Sequence, residues 1–301
     1  MATNTLNLPE QEYMLPGNRA CAGCSVGIVF RHMSKALDGK AIFVVPASCF
    51  TVLCGMYPTA SVQVPVMNSV FPGTAACASG IAASLKKQGR DDLTVVAMAG
   101  DGGTADIGMQ GLSGAAERNA NVFFVCYDNE AYMNTGTQRS SLTPLGAKTT
   151  TTPAKGKMQF AKDLPAIVEA HDIPYIATAS PGYPGDLYDK VCTARGISGT
   201  RFMHINAPCP PGWQFPTAET VAMAQLAVET GAFILFEIMD GKFQLTGKSL
   251  ALADKDNRQP VRKFIELQSR FGVLDEETLA RLQERVDERW RKAVARHRAE
   301  E

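Results

Sequence analysis

A chain of 301 residues with 45% apolar content can bury a substantial core, as one large α/β domain or two smaller ones, and is not disordered. Thirty basic residues balance thirty acidic ones, so no basic face for nucleic acid is expected. No run of eighteen apolar residues is available to cross a membrane, and the opening residues carry no charged segment ahead of an apolar one, so the expected location is cytoplasmic.

In chain order, the pair Cys21 and Cys24 in "CAGC" precedes an expected helix at 25–37. The apolar run 42–46 reads as a buried strand and runs into "PASC", with Cys49 at its end. A helix of small residues follows at 73–88, then a strand at 93–99 that ends in "GDGGTADIG", residues 100 to 108. A helix at 107–118 leads to a strand at 122–127, which ends in "YDNEAYMNTG". Residues 135–158 form a long polar stretch rich in Thr, Gly and Pro, read as an active-site loop. Beyond it come helices at 159–171, 184–195 and 217–230, and strands at 174–178, 201–205 and 232–238. The alternation implies α/β architecture: a doubly wound, mostly parallel sheet with helices on both faces over 1–252. From about 253 to 301 the chain is highly charged with apolar residues at helical spacing, and is expected to form one or two surface helices packed on the domain or on a partner.

In a parallel sheet the carboxyl ends of the strands face the ligand crevice, so Asp101 and Asp128-Asn129 would lie side by side if their strands are neighbours. Gly100, Gly102 and Gly103 let the backbone approach a ligand, and a helix starting near Thr104 would present N–H groups to an anion. These features suit Mg²⁺ with a diphosphate, since magnesium takes one or two protein oxygens and completes its shell with phosphate and water. A tight strand-to-helix turn with an Asp cap is the plainer reading of "GDG" alone. The addition of an Asn and then "NTG" one helix and one strand later resembles the thiamine-diphosphate signature, which implies metal ligation by Asp101, Asn129 and the carbonyl of Ala131.

Eight cysteines in a chain without a secretory signal are more readily ligands, catalytic groups or small core residues than a disulfide framework. A lone C-x-x-C admits zinc, a redox dithiol or an iron–sulfur cluster. Zinc lacks a second pair, and a dithiol leaves Cys49 and Cys209 unexplained. Cys21, Cys24, Cys49 and Cys209, in a 2+1+1 pattern, suit a [4Fe–4S] cluster. Cys77, Cys126 and Cys192 read as core residues, while Cys54 stays open as a replacement ligand because "CFTVLCG" sets it close to Cys49.

Taken together, "CAGC", "PASC", "GDGG", "YDNEAYMNTGTQRS", "TPLGAKTTTTPAKGK" and "APCPPGW" resemble the β subunits of the pyruvate:ferredoxin oxidoreductase group of 2-oxoacid oxidoreductases, over residues from about 15 to 270. The resemblance implies oxidative decarboxylation of a 2-oxoacid, pyruvate first and phenylglyoxylate or another 2-oxoacid as the alternative, with coenzyme A collecting the acyl group and electrons leaving through the cluster to ferredoxin or another acceptor. It implies Thr135 beside the cofactor, and Asn134 as donor to the developing oxyanion, against the alternative of a turn-forming Asn before Thr-Gly. One departure is "VMNSVFPGT", where many members have a His; Asn68 is the available replacement. The family's N1′ carboxylate comes from a different chain, so this chain is expected to act only with an α subunit that carries the pyrimidine-binding domain, alongside γ and ferredoxin-like δ subunits. Two competing readings are a non-redox thiamine decarboxylase or synthase, and a binding or electron-transfer module with a vestigial cofactor site.

Overall fold

The computed structural model describes residues 3, 7–272 and 274–300. Among these residues the chain forms an eight-stranded sheet in the order β2-β1-β3-β4-β6-β5-β7-β8. Its strands are β1 (Ala41–Pro46), β2 (Val66–Ser69), β3 (Thr94–Gly100), β4 (Phe123–Asp128), β5 (Tyr175–Ala179), β6 (Arg201–Asn206), β7 (Phe236–Met239) and β8 (Lys242–Leu245). β1 to β6 pair in parallel, and β7 and β8 close one edge antiparallel.

The apolar runs become central strands because both of their faces are covered. Val95, Ala97 and Ala99 of β3 enter one core and Val96 and Met98 the other, the period-two alternation of a pleated strand. One core is covered by α1 (Ser25–Ala36), α2 (Cys49–Cys54) and α6 (Pro184–Gly196). The opposite core is covered by α3 (Thr74–Lys87), α4 (Met109–Glu117), α5 (Leu164–Glu169) and α8 (Thr220–Glu229). Ala75, Ala78 and Ala82 are the buried face of α3, and side chains of that size let it lie close to β1 and β3.

The C-terminal part folds back onto this second core. Three short helices, α7 (Pro210–Trp213), α9 (Gly247–Ala251) and α10 (Arg262–Glu266), precede the long α11 (Glu276–Ala299). Leu279, Val286, Trp290 and Ala293 form the buried stripe of α11, and the Trp290 indole donates to the Gly231 carbonyl at 3.0 Å. Asp275 caps that helix through the Thr278 N–H at 2.7 Å.

Several boundaries differ from the sequence expectation. The short edge strand β2, half exposed, carries no apolar run to announce it. The hairpin β7–β8 takes up only the end of the run at 232–238. The helix expected at 159–171 shrinks to α5, and the one expected to start near residue 107 begins at Met109. A π-helical turn, Gly102–Asp106, fills the gap after β3. What positions the site is the order of strands. β2 lies on one side of β1 and β3 on the other, so the chain reverses direction across the sheet at the β1/β3 boundary, where a crevice opens at the carboxyl ends.

Candidate functional site

A cavity of about 290 Å³ occupies that crevice. Gly100, Asp101, Gly102 and Gly103 line it from the end of β3, Asn129 and Ala131 to Thr135 from the end of β4, and Ala47 to Cys49 from the end of β1. The register Gly100↔Tyr127 sets the ends of β3 and β4 level, which brings Asp101 and Asn129 together. Asn129 Oδ1 lies 3.0 Å from the Ala131 carbonyl oxygen and 3.0 Å from Asp101 Oδ1. In the bare chain, turning the amide over would let its nitrogen donate to both. With the oxygen inward, each of these two contacts has the spacing of neighbouring ligands in an octahedron of roughly 2.1 Å bonds, as magnesium takes.

Asp101 is completely buried, and its carboxyl is held well above the usual range, by burial first and then by the charge of Asp128. The Ser140 hydroxyl donates to its Oδ2. Such a carboxylate in so dry a place lacks a countercharge, and a divalent cation would supply one. The turn after it leaves little room for change: a Cβ at Gly102 would come within 2.6 Å of the Tyr132 ring. Tyr132 in turn donates to Asp106 Oδ2 at 3.1 Å. Thr104 does not line the cavity; its hydroxyl donates to the Gly100 carbonyl at 2.8 Å and ties the turn to the strand.

The polar stretch 135–158 is more tightly folded than its composition suggests. Ser140, Leu142, Thr143 and Ala147 are buried, and the Lys157 ammonium donates to the Ser141 and Thr143 carbonyls, both at 2.7 Å. Burial lowers Lys157 to about 8. The stretch acts as the wall behind Asp101.

A second network joins the Asn129 turn to the segment carrying Cys209. The Trp213 indole donates to the Asn129 carbonyl at 2.8 Å, and Trp213 N donates to the Cys209 carbonyl at 2.8 Å. Arg270 lies over the Trp213 ring at 4.3 Å and pairs with Glu130. Burial pushes the Glu130 carboxyl up to about 7 against the opposing pull of Arg270. Asp128 pairs with His204 Nε2 at 2.8 Å. Trp213→Phe removes the donor and leaves a buried carbonyl unmatched, so about 1–3 kcal/mol of stability should be lost, with weaker cofactor retention. Denaturant unfolding and cofactor content check this; a variant equal to wild type in both would remove the indole from the site's support.

The four expected cluster residues gather from three elements. Cys24 caps α1, Cys49 opens α2 and Cys209 precedes α7. Burial pushes the Cys49 thiol up to about 12, with Cys209, Cys24, Cys21 and Asp101 adding to the rise. Cys209 is likewise pushed to about 12 by burial, with Cys24 and Cys21 adding to it. Cys54 also reaches about 12, but burial alone raises it and no other thiol contributes. Gly23, at φ +71°, lets the loop between Cys21 and Cys24 rest on the Thr217 carbonyl, which a Cβ would meet at 2.2 Å; this docks the pair near the Cys209 segment. Among the described residues no three His, Cys, Asp or Glu side chains converge on a single ion.

Asn134 and Thr135 stand exposed at the cavity rim, within a turn closed by Tyr132 N donating to the Gln138 carbonyl at 2.9 Å. Asn68 does not reach the cavity; it is exposed on edge strand β2 and accepts from the Thr51 hydroxyl at 3.3 Å. The sequence expectations passed over Ser48, Phe71, Tyr127 and Tyr132, which line the cavity, and Ser140, Trp213 and Arg270, which brace it. "PASC" and "APCPPGW" hold Ser48 and Trp213 beside residues already singled out; no local pattern marks Arg270.

Residues 48–207 match the family model of the thiamine pyrophosphate enzymes, C-terminal TPP binding domain. That span includes Asp101, Asn129 and Ala131. Pyruvate synthase subunit PorB of Methanothermobacter thermautotrophicus is 46% identical over 287 residues, which cover 94% of this chain and 97% of that one. Ketoisovalerate oxidoreductase subunit VorB of Pyrococcus abyssi is 43% identical over 295 residues, 95% of this chain and 93% of that one. The fold is shared with a solved 2-oxoglutarate:ferredoxin oxidoreductase from Magnetococcus marinus at a TM-score of 0.57 and 20% identity, covering 73% of this chain and 82% of that one.

Proposed function

Since the chain belongs to the β-type subunits of the 2-oxoacid:ferredoxin oxidoreductases, within the thiamine pyrophosphate enzymes, we propose that its complex oxidatively decarboxylates pyruvate to an acyl-CoA in the cytoplasm and passes the electrons to ferredoxin. The observation that carries the reading is the meeting of Asp101 Oδ1, Asn129 Oδ1 and the Ala131 carbonyl, 3.0 Å apart from the amide oxygen, at the mouth of the β1/β3 crevice.

In this reading Asp101, Asn129 and Ala131 hold Mg²⁺, which neutralises the diphosphate, while Gly100, Gly102, Gly103 and Thr104 shape the turn against it. Thiamine diphosphate, when bound, supplies the carbanion chemistry that 2-oxoacid decarboxylation requires. Asn134, at the rim, donates to the oxygen that gains charge, and Thr135 flanks it. Cys21, Cys24, Cys49 and Cys209 would hold a [4Fe–4S] cluster beside the cavity; the mutual influence of the Cys49, Cys209, Cys24 and Cys21 thiols supports the reading. Burial pushes the Cys24, Cys49 and Cys209 thiols up, so cluster assembly would have to release their protons. The α subunit contributes the pyrimidine side, and γ and δ subunits carry electrons onward. The likeness to ketoisovalerate oxidoreductase favours a branched 2-oxoacid as the second substrate reading.

The test is reduction of a viologen dye by the purified complex with coenzyme A and a panel of 2-oxoacids. Pyruvate should give the highest kcat/KM. Cys209→Ser should bleach the visible absorption, and Cys54→Ser should keep it. A colourless complex that still decarboxylates would point to the non-redox alternative, and loss of colour in Cys54→Ser alone would move the fourth ligand.

A further inference from the structure

Ser48 occupies the N-cap of α2, where a serine hydroxyl ordinarily accepts a hydrogen bond from an amide in the first turn. Here it makes no such cap. The residue is 8% exposed, and its Oγ has no hydrogen-bond partner. It also lines the cavity, facing the same space as Asp101, Asn129 and the fully buried Tyr127. Its neighbour Thr51 is engaged elsewhere, donating to the Pro46 carbonyl at 2.7 Å. A buried hydroxyl turned away from its local partner, with only the Tyr127 hydroxyl beside it in the protein, is costly unless a ligand completes its bonding.

Building on the function proposed above, we propose that the Ser48 hydroxyl donates a hydrogen bond to an anionic oxygen of the cavity's occupant. Two sources share that chemistry: the diphosphate of the cofactor and the carboxylate of the 2-oxoacid. Ser48 follows β1 by two residues, next to β3 and its Asp101 turn, so both lie within the cavity it lines. Its position directly before Cys49 places this contact on the cluster side of the cavity.

The experiment uses the assembled complex carrying Ser48→Ala, with Ser48→Thr as the conservative variant that keeps a hydroxyl. Three quantities are read: thiamine diphosphate affinity by equilibrium binding in Mg²⁺ without substrate, KM and kcat for pyruvate at saturating cofactor, and the melting temperature of the cofactor-free complex. Loss of a hydrogen bond to a charged oxygen should cost roughly tenfold or more. A tenfold weaker cofactor affinity identifies the diphosphate as acceptor. A tenfold higher KM with unchanged cofactor affinity identifies the carboxylate. Either loss should be largely restored in Ser48→Thr, and the melting temperature of the cofactor-free Ser48→Ala complex should not fall, because the hydroxyl caps nothing and its burial is a cost. Unchanged affinity and KM in Ser48→Ala would overturn the proposal, as would a lowered melting temperature with both constants intact. Failure of the wild-type complex to bind thiamine diphosphate would instead overturn the function on which it rests.

Discussion

Replacing Asp101 by asparagine is expected to strip the complex of thiamine diphosphate while making the cofactor-free protein more stable. The two effects share one cause. Asp101 is wholly buried at the end of β3, and burial together with the Asp128 charge holds its carboxyl well above the usual range. A carboxyl whose folded pKa lies above its unfolded one, about 3.9, contributes stability that is present below the unfolded value and lost as pH rises through the folded one. The cofactor-free wild type should therefore melt at progressively lower temperature as pH rises from about 4, a slope that Asp101→Asn removes. Bound Mg²⁺ reverses the balance, because the ionised carboxylate then has its partner. Outer residues around metal sites typically cost 10- to 100-fold in affinity when changed, so loss of a direct ligand should exceed about 100-fold. Melting temperature against pH, with and without Mg²⁺ and cofactor, checks both halves. Stoichiometric cofactor in the purified variant would sink the assignment, and an unaltered pH slope would sink the electrostatic account.

The second large effect concerns the chain without its partners. Of the described residues lining the cavity, Asp101 is the only carboxylate, and it sits on the turn proposed above to hold Mg²⁺. Glu130 lies next to Asn129 but pairs with Arg270 and lines a separate cavity together with His204 and Phe264. Among the described residues no other acid lines the β1/β3 cavity, so under the function proposed above the N1′ carboxylate has to come from another chain. Apolar side chains stand exposed beside the cavity's walls: Val70, 72% exposed, precedes Phe71, and Ile107, 50% exposed, follows the π-helical turn. Both features fit a site completed by another subunit. The isolated chain, given Mg²⁺ and thiamine diphosphate, is expected to exchange the cofactor's C2 proton no faster than free cofactor does, and to release no carbon dioxide from a 2-oxoacid. Adding the partner subunit should restore both. Proton exchange followed by NMR after acid quench decides the matter, and rapid exchange by this chain alone would refute it.

The sequence by itself determined the parallel core and the motifs at the ends of its strands. Runs such as 93–99 and 122–127 are apolar without alternation, and only a strand covered on both faces tolerates that composition, so their place in the sheet was legible. Asp101 and Asn129 were legible because glycines and an amide at strand ends answer a local demand for close backbone approach. The spacing of the cysteines singled out Cys21, Cys24, Cys49 and Cys209 and left Cys54 open; in the fold both Cys49 and Cys54 stand on the short helix α2, and only Cys49 is raised by the other thiols.

Other features depended on contacts that no local pattern encodes. Ser140 reaches Asp101 across 39 positions, Trp213 reaches Asn129 across 84 and Arg270 reaches Glu130 across 140. Each is set by how α7, the 3-10 turn Ser269–Phe271 and the 135–158 stretch pack behind the sheet, and each serves a buried polar group whose need arises only once water is excluded. Asn68 depends on packing in the same way: the pairing of β2 at the sheet edge leaves it exposed, accepting from the Thr51 hydroxyl and outside the residues that line the cavity. Local chemistry fixed which groups could bind metal and cofactor, and tertiary packing decided which of them are dry, which are braced and which are left, like the Ser48 hydroxyl, without a partner.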